Sequence, residues 1–206
     1  MTEKRQRRWL TPVVGAAALV VGLLTLGGMV TADRSGLPQM GPAKAFALTD
    51  LSGNEVALTD YRGKIVLLNF MFTKCPDYCP TLTAVLGNVQ DELIREGLGD
   101  RVHFLSVTVD PRNDTPELLR RYADAMHLDT AGWNFLTGAE AAIEQVSGNY
   151  GVFFERLGDG SVQHNLLTTV IDQSGQMRVQ YAGERFDPDE LLADLRALAS
   201  HSWSLI

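Results

Sequence analysis

Residues 65–72, IVLLNFMF, form an almost unbroken apolar run made of strand-forming side chains. A strand with one face in water alternates apolar and polar residues, so a run of this kind belongs to a strand covered on both faces. RVHFLSVTVD, 101–110, is a second such run. Between them, after Pro80, Leu82, Val85, Leu86, Val89 and Leu93 fall at helical spacing as far as about Glu96. Buried strands joined by a helix imply a parallel pair in a sheet packed on both sides.

The flanking segments extend this plan. AFALTDLSGNEVALTDYRGK, 45–64, gives two short alternating runs around Ser52-Gly53-Asn54, a hairpin signal. Asp114-Thr115-Pro116-Glu117 reads as a helix start, with Asp110 and Asp114 ordering the turn and capping a helix that carries Leu118, Leu119, Tyr122 and Met126. Thr137 with Glu140 is a capping-box start for a helix to about Ser147. LLTTVID, QSGQ and MRVQYAG, 166–183, make a strand, turn and strand. Asp187-Pro188-Asp189-Glu190 opens a last helix through Leu191, Leu192, Leu195 and Leu198. The expected fold is α/β: a mixed central sheet flanked by helices, with an N-terminal β-hairpin, thioredoxin-like, over residues 45–200.

Both cysteines of the chain, Cys75 and Cys79, lie four apart where the first buried strand ends, each followed by proline. The carboxyl ends of strands are where open α/β sheets hold their ligands. A disulfide closing so short a span would remove little chain entropy, so a purely structural bridge is a poor explanation. A helix N-terminus favours thiolate over thiol. Thiolates offer two chemistries, disulfide exchange and the binding of a soft ion such as Cu(I). Exchange normally uses C-x-x-C, one residue shorter; the longer spacing suits two sulfurs aimed at a shared ion. Of the four histidines, His103 falls inside a strand, His127 at a helix end and His201 in the tail. His164, in the loop entering the late hairpin, is the best candidate for a third ligand.

The N-terminal segment points to a membrane. Residues 1–8 hold Lys4, Arg5, Arg7 and Arg8 against Glu3, and no charge follows until Asp33. The 24 residues from Trp9 to Ala32 would make about 36 Å of helix, against about 30 Å of hydrocarbon. By the positive-inside rule, 1–8 is a cytoplasmic basic tail, 9–32 a single transmembrane anchor and 33–44 a linker. The domain at 45–200 and a short tail at 201–206 then stand on the periplasmic side of the inner (cytoplasmic) membrane. A cleaved signal peptide ending at Val30-Thr31-Ala32 is the rival, but its apolar region should span only about 7–15 residues. Arg7-Arg8 also has a twin-arginine flavour. No Arg/Ser-rich transit peptide precedes the anchor, which favours a bacterial host. Without residues 1–8 the chain carries 14 basic and 24 acidic residues, which argues against nucleic acid and against an anionic membrane surface as partners.

FTKCPDYCPTL, VTVDPRNDTPELLRRYA and a His followed by LLTTVIDQSGQ together resemble the Sco/SenC family, over about Phe46 to Leu198. The resemblance implies a thioredoxin fold and a copper site made by Cys75, Cys79 and His164, taking Cu(I) and also Cu(II). It also implies a role in assembling the binuclear copper A centre of cytochrome c oxidase, with the oxidase copper A subunit as partner and another periplasmic copper chaperone or thiol reductase upstream. In thioredoxins the loop entering the equivalent strand brings a cis-proline beside the cysteines; here it brings His164. The sequence departs from the family at Gln163, where many members have Asp, and has Lys74 before the first cysteine. Lys74 adds positive charge near the thiolates, which lowers their pKa and weakens attraction for a cation; Gln163 removes a carboxylate that would neutralise or orient the site.

Other readings compete. In a thiol-disulfide reductase, Cys75 and Cys79 would be the catalytic pair, cycling between dithiol and disulfide to keep the oxidase copper site or another chaperone reduced; a redox sensor would use the same pair. A peroxiredoxin needs a Thr three residues before its cysteine, and position 72 is Phe. Asp77 is expected to accept N–H groups at the helix start, and Met71 to be core. Phe153, Phe154 and Trp133 serve either the core or a docking surface.

Overall fold

The computed structural model describes residues 35–76, 78–159 and 161–200. The anchor expected at 9–32, the tail with His201, and Asp77 lie outside them. Among the described residues no helix is long and apolar enough to cross a membrane.

The frame is a six-stranded mixed sheet flanked by helices, as in a thioredoxin-like fold. Its strands are β1 (Gly41–Pro42), β4 (Ile65–Met71), β5 (Val102–Thr108), β6 (Trp133–Leu136), β9 (Leu167–Ile171) and β10 (Gln176–Ala182), in the order β1-β10-β9-β4-β5-β6. β4, β5 and β6 run parallel, while β9 lies antiparallel to β4 on its other side. Every residue of β4 and β5 is buried, which is what an apolar run without alternation requires. The expected early hairpin is β2 (Ala47–Thr49) with β3 (Glu55–Ala57), turning through Gly53 at φ 84°. A second small ribbon pairs β7 (Phe154–Arg156) with β8 (Val162–His164).

Among the described residues four α-helices flank the sheet: α1 (Tyr78–Arg95), α2 (Pro116–Ala125), α3 (Glu140–Asn149) and α4 (Pro188–Ala199). α1 buries Leu82, Leu86, Val89 and Leu93, the expected stripe. It begins before Pro80, because a proline in the first turn lacks only an N–H that has no partner inside the helix. Cys79 therefore lies in the first turn of the helix. α4 starts as expected, with Asp187 accepting the Asp189 N–H at 2.9 Å.

Two expected caps are corrected. Thr115, not Asp114, caps α2, its hydroxyl accepting the Leu118 N–H, because the Asp114 carboxylate is engaged elsewhere. Thr137 does not start α3: its N–H and C=O pair with those of Thr49 at 2.8 Å each, and the helix follows Ala139. The segment read as a linker is not free of the domain. β1 adds to the edge of β10, and the guanidinium of Arg178, 1% exposed, donates to Pro38 O, Leu37 O and Ser35 Oγ at 2.8 Å. The same guanidinium pairs with Asp172 at 3.0 Å. Trp133 is core: it stacks on Phe104 at 4.9 Å and donates to Ser106 Oγ, which donates to Asn69 Oδ1. Phe154 is half-buried against the core, whereas Phe153 is 72% exposed.

Candidate metal centre

After Met71 the chain leaves β4 in a turn closed by the Cys75 N–H on Phe72 O at 3.3 Å. The turn is held from the side. Asp114, fully buried, accepts from Thr73 N at 3.1 Å, from Thr73 Oγ1 at 2.5 Å and from Thr108 Oγ1 at 2.5 Å. Sequence reasoning missed this role, since an Asp beside Pro116 looks like a cap.

Both cysteines are buried, and neither is in a disulfide. The Cys79 N–H, in the first turn of α1, donates to Cys75 Sγ at 3.3 Å, an arrangement that stabilises negative charge on that sulfur. Cys79 itself behaves otherwise. The hydrogen bond it shares with Cys75 and its burial push its thiol well above the usual range, with the Asp114 charge adding to both. The helix terminus alone would have favoured thiolate, but two adjacent buried sulfurs do not both ionise without a cation.

His164, the last residue of β8, brings Nε2 to 3.9 Å from Cys79 Sγ. Its Nδ1 lies 3.0 Å from Asn165 O. A carbonyl only accepts, so Nδ1 carries the proton and Nε2 turns its lone pair toward the sulfur. Burial lowers the pKa of the imidazole, the Asn165 carbonyl opposing it, and the ring stays neutral. Phe72 meets the ring edge-on, centroids 5.8 Å apart. Ligands bonded at about 2.0–2.3 Å to one ion and separated by a trigonal angle stand about 3.5–4.0 Å apart, so the Cys79–His164 spacing fits a shared ion.

The three residues singled out in the sequence therefore meet, although His164 is 85 residues from Cys79. Among the described residues no group of three or more His, Cys, Asp or Glu stands as a ready metal cage. A cavity of about 510 Å³, lined by Phe72, Cys75, Tyr78, Val162, His164 and Leu166 among others, opens the site to solvent; Cys79 does not line it and is 1% exposed. Lys74 and Gln163 are exposed, and Gln163 also lines the cavity. The other described histidines play no part. His103 stacks on Tyr61 at 4.3 Å and meets Asn134 Oδ1 at 2.6 Å, and His127 takes φ 55° in the turn after α2. Met71 is core, 1% exposed.

Comparison with known proteins gives one consistent result. The SCO1/SenC family matches residues 37–200. The SCO1 protein homolog of Bacillus subtilis is 26% identical over 189 residues, covering 90% of this chain and 95% of that protein. The structure of BsSco, described with a disulfide switch and as a member of the Sco family of cytochrome c oxidase assembly proteins, superposes with TM-score 0.70. The two are 26% identical, over 80% of this chain and 97% of that one. Bradyrhizobium japonicum ScoI with copper bound superposes with TM-score 0.66 at 28% identity, over 76% of this chain and 99% of that one.

Proposed function

Because the chain belongs to the SCO1/SenC family, we propose that it is a copper chaperone for cytochrome c oxidase assembly, carrying copper between Cys75, Cys79 and His164. The observation that carries the ligand set is the His164 Nε2 lone pair, held 3.9 Å from Cys79 Sγ beside a second thiol. Two sulfurs and an imidazole are the donors a soft cation selects, so Cu(I) is the cargo and Cu(II) a weaker alternative. Capture by the two sulfurs as thiolates displaces the protons their thiols carry.

The cavity presents Cys75 and His164 to an incoming partner, while Cys79 is the more buried of the two sulfurs. Ligand exchange then proceeds outward: the acceptor's donors replace His164 and Cys75 first, and Cys79 releases last. The acceptor is the oxidase subunit that holds the binuclear copper A centre, and another periplasmic copper chaperone or thiol reductase supplies copper or electrons. Residues 9–32 anchor the chain in the cytoplasmic membrane, with the domain on the periplasmic side.

One observation favours a second reading. The two sulfurs form no disulfide and are joined by the Cys79 N–H to Cys75 Sγ contact, so a dithiol–disulfide cycle, releasing two electrons and two protons, is open to them. Anaerobic titration of the reduced full-length protein with Cu(I) against a competing chelator separates the two. One tight copper per chain, weakened in Cys75→Ser, Cys79→Ser and His164→Ala, supports the chaperone. Copper binding no better than in the cysteine variants, with partner disulfides still reduced, replaces it by the reductase.

A further inference from the structure

The ribbon that carries His164 is built apart from the main sheet. Among the described residues β7 and β8 pair only with each other. Their register sets Phe154 opposite His164 and Arg156 opposite Val162. Residues paired across a ribbon share a face, and so do alternate residues along each strand. Arg156, Val162, Phe154 and His164 thus point the same way, toward the domain, while Glu155 and Gln163 are exposed. Val162 is buried in the core.

Apart from the Cys79–His164 contact, among the described residues the polar side chains of these strands reach the body at one place. Arg156 Nη2 donates to Asp110 Oδ1 at 2.7 Å, with side chains 24% and 3% exposed. Asp110 is itself held firmly. Asn113 Nδ2 donates to both carboxylate oxygens at 3.1 and 2.8 Å, the Asp110 N–H donates to Thr108 Oγ1 at 2.9 Å, and its carbonyl accepts the Asp114 N–H at 2.8 Å. Asp114, at the end of the same turn, grips Thr73. One turn, 110–114, therefore fastens both halves of the site: the thiol loop through Asp114 and the imidazole ribbon through Arg156.

We propose that Arg156 is a positioning residue for the metal centre, its ion pair with Asp110 holding the β7–β8 ribbon down so that His164 Nε2 faces the thiols. The inference rests on the reading of His164 as a copper ligand, and it acts on this one ligand. Arg156 touches neither sulfur nor ion. The pair joins a partly exposed Arg156, at the loop end of the ribbon, to a buried Asp110, and Asp110 keeps its Asn113 donors when Arg156 is lost, so the ribbon is released while the domain stays folded.

The test uses the reduced full-length protein in detergent, as wild type, Arg156→Ala, Arg156→Lys, His164→Ala and the Arg156→Ala/His164→Ala double variant. In the metal-free state, the His164 imidazole NMR signal, assigned by its absence in His164→Ala, reports the nearby Phe72 ring. Arg156→Ala should shift it, and Arg156→Lys should return it to the wild-type position. In Cu(I) titrations Arg156→Ala should weaken binding by about tenfold, Arg156→Lys should recover most of that, and the double variant should bind no more weakly than His164→Ala alone. An unmoved His164 signal in Arg156→Ala, or losses that multiply in the double variant, would overturn the proposal. If copper affinity does not depend on His164 at all, the ligand set fails, while the metal-free signal still decides whether Arg156 places the ribbon.

Discussion

Asp114 shows how a single buried carboxylate shapes a site it does not touch. With the Thr73 and Thr108 donors all directed at it, Asp114→Asn sets an amide N–H₂ against groups that also donate. The expected cost is about 1–3 kcal/mol, read as a lower urea midpoint with an unchanged slope. Cys75 should also react faster with a thiol reagent, because its turn is released; equal rates in variant and wild type would count against this role. His103 supplies a pH dependence. Burial holds its pKa below 6.5, the Asn134 hydrogen bond opposing and the Lys64 charge adding to the depression. The unfolded chain takes up a proton as pH falls through about 6.5 while the folded one does not, so stability is full above that pH and declines below it. The urea midpoint of the metal-free protein should therefore drop between about pH 7.5 and about pH 5.5, and His103→Gln should flatten that drop. His164, also depressed by burial, acts in the same sense.

Among the elements, β1 is the smallest and one of the most firmly fastened. It has two residues, yet the chain leading into it provides three acceptors for a guanidinium that is 1% exposed. Arg178→Ala leaves Asp172 buried without its cation, and the expected destabilisation is about 3–5 kcal/mol, measured by thermal unfolding. Segment 35–43 should become an early site of proteolysis in the same variant. Length made these elements legible: β4 and β5 as unbroken apolar runs, α1 and α4 by helical spacing, and the β9–β10 hairpin as strand, turn and strand, each over five or more residues. β1, β6 and the β7–β8 ribbon have two to four residues each, too few for a period, and they exist because an edge or a neighbour was available to pair with. Thr137 illustrates the same competition. Its local pattern says helix cap, but Thr49 offers a strand partner and prevails.

At the scale of the whole molecule, the thiols were legible because two cysteines at that spacing end a buried strand, and His164 because the other histidines had better structural explanations. The turn at Asp110–Asp114 was expected, but its grip on the site was not, since what it grips lies 41 residues before it in one direction and 46 residues after it in the other. The site joins segments that the fold holds separately, so a bound ion should act as a cross-link. Cu(I) at about a hundred times its dissociation constant should add about 2.7 kcal/mol, raising the melting temperature of wild type but not of Cys75→Ser. The clamp on the N-terminal segment carries a consequence in time. Arg178 lies 143 residues after Ser35, so on a chain made from its N-terminus the first described segment emerges early and is fastened late. His164 trails Cys79 by 85 residues, and during synthesis the thiols meet their surroundings before the imidazole exists. The surroundings of the thiols are thus completed only once the ribbon that carries His164 has been made.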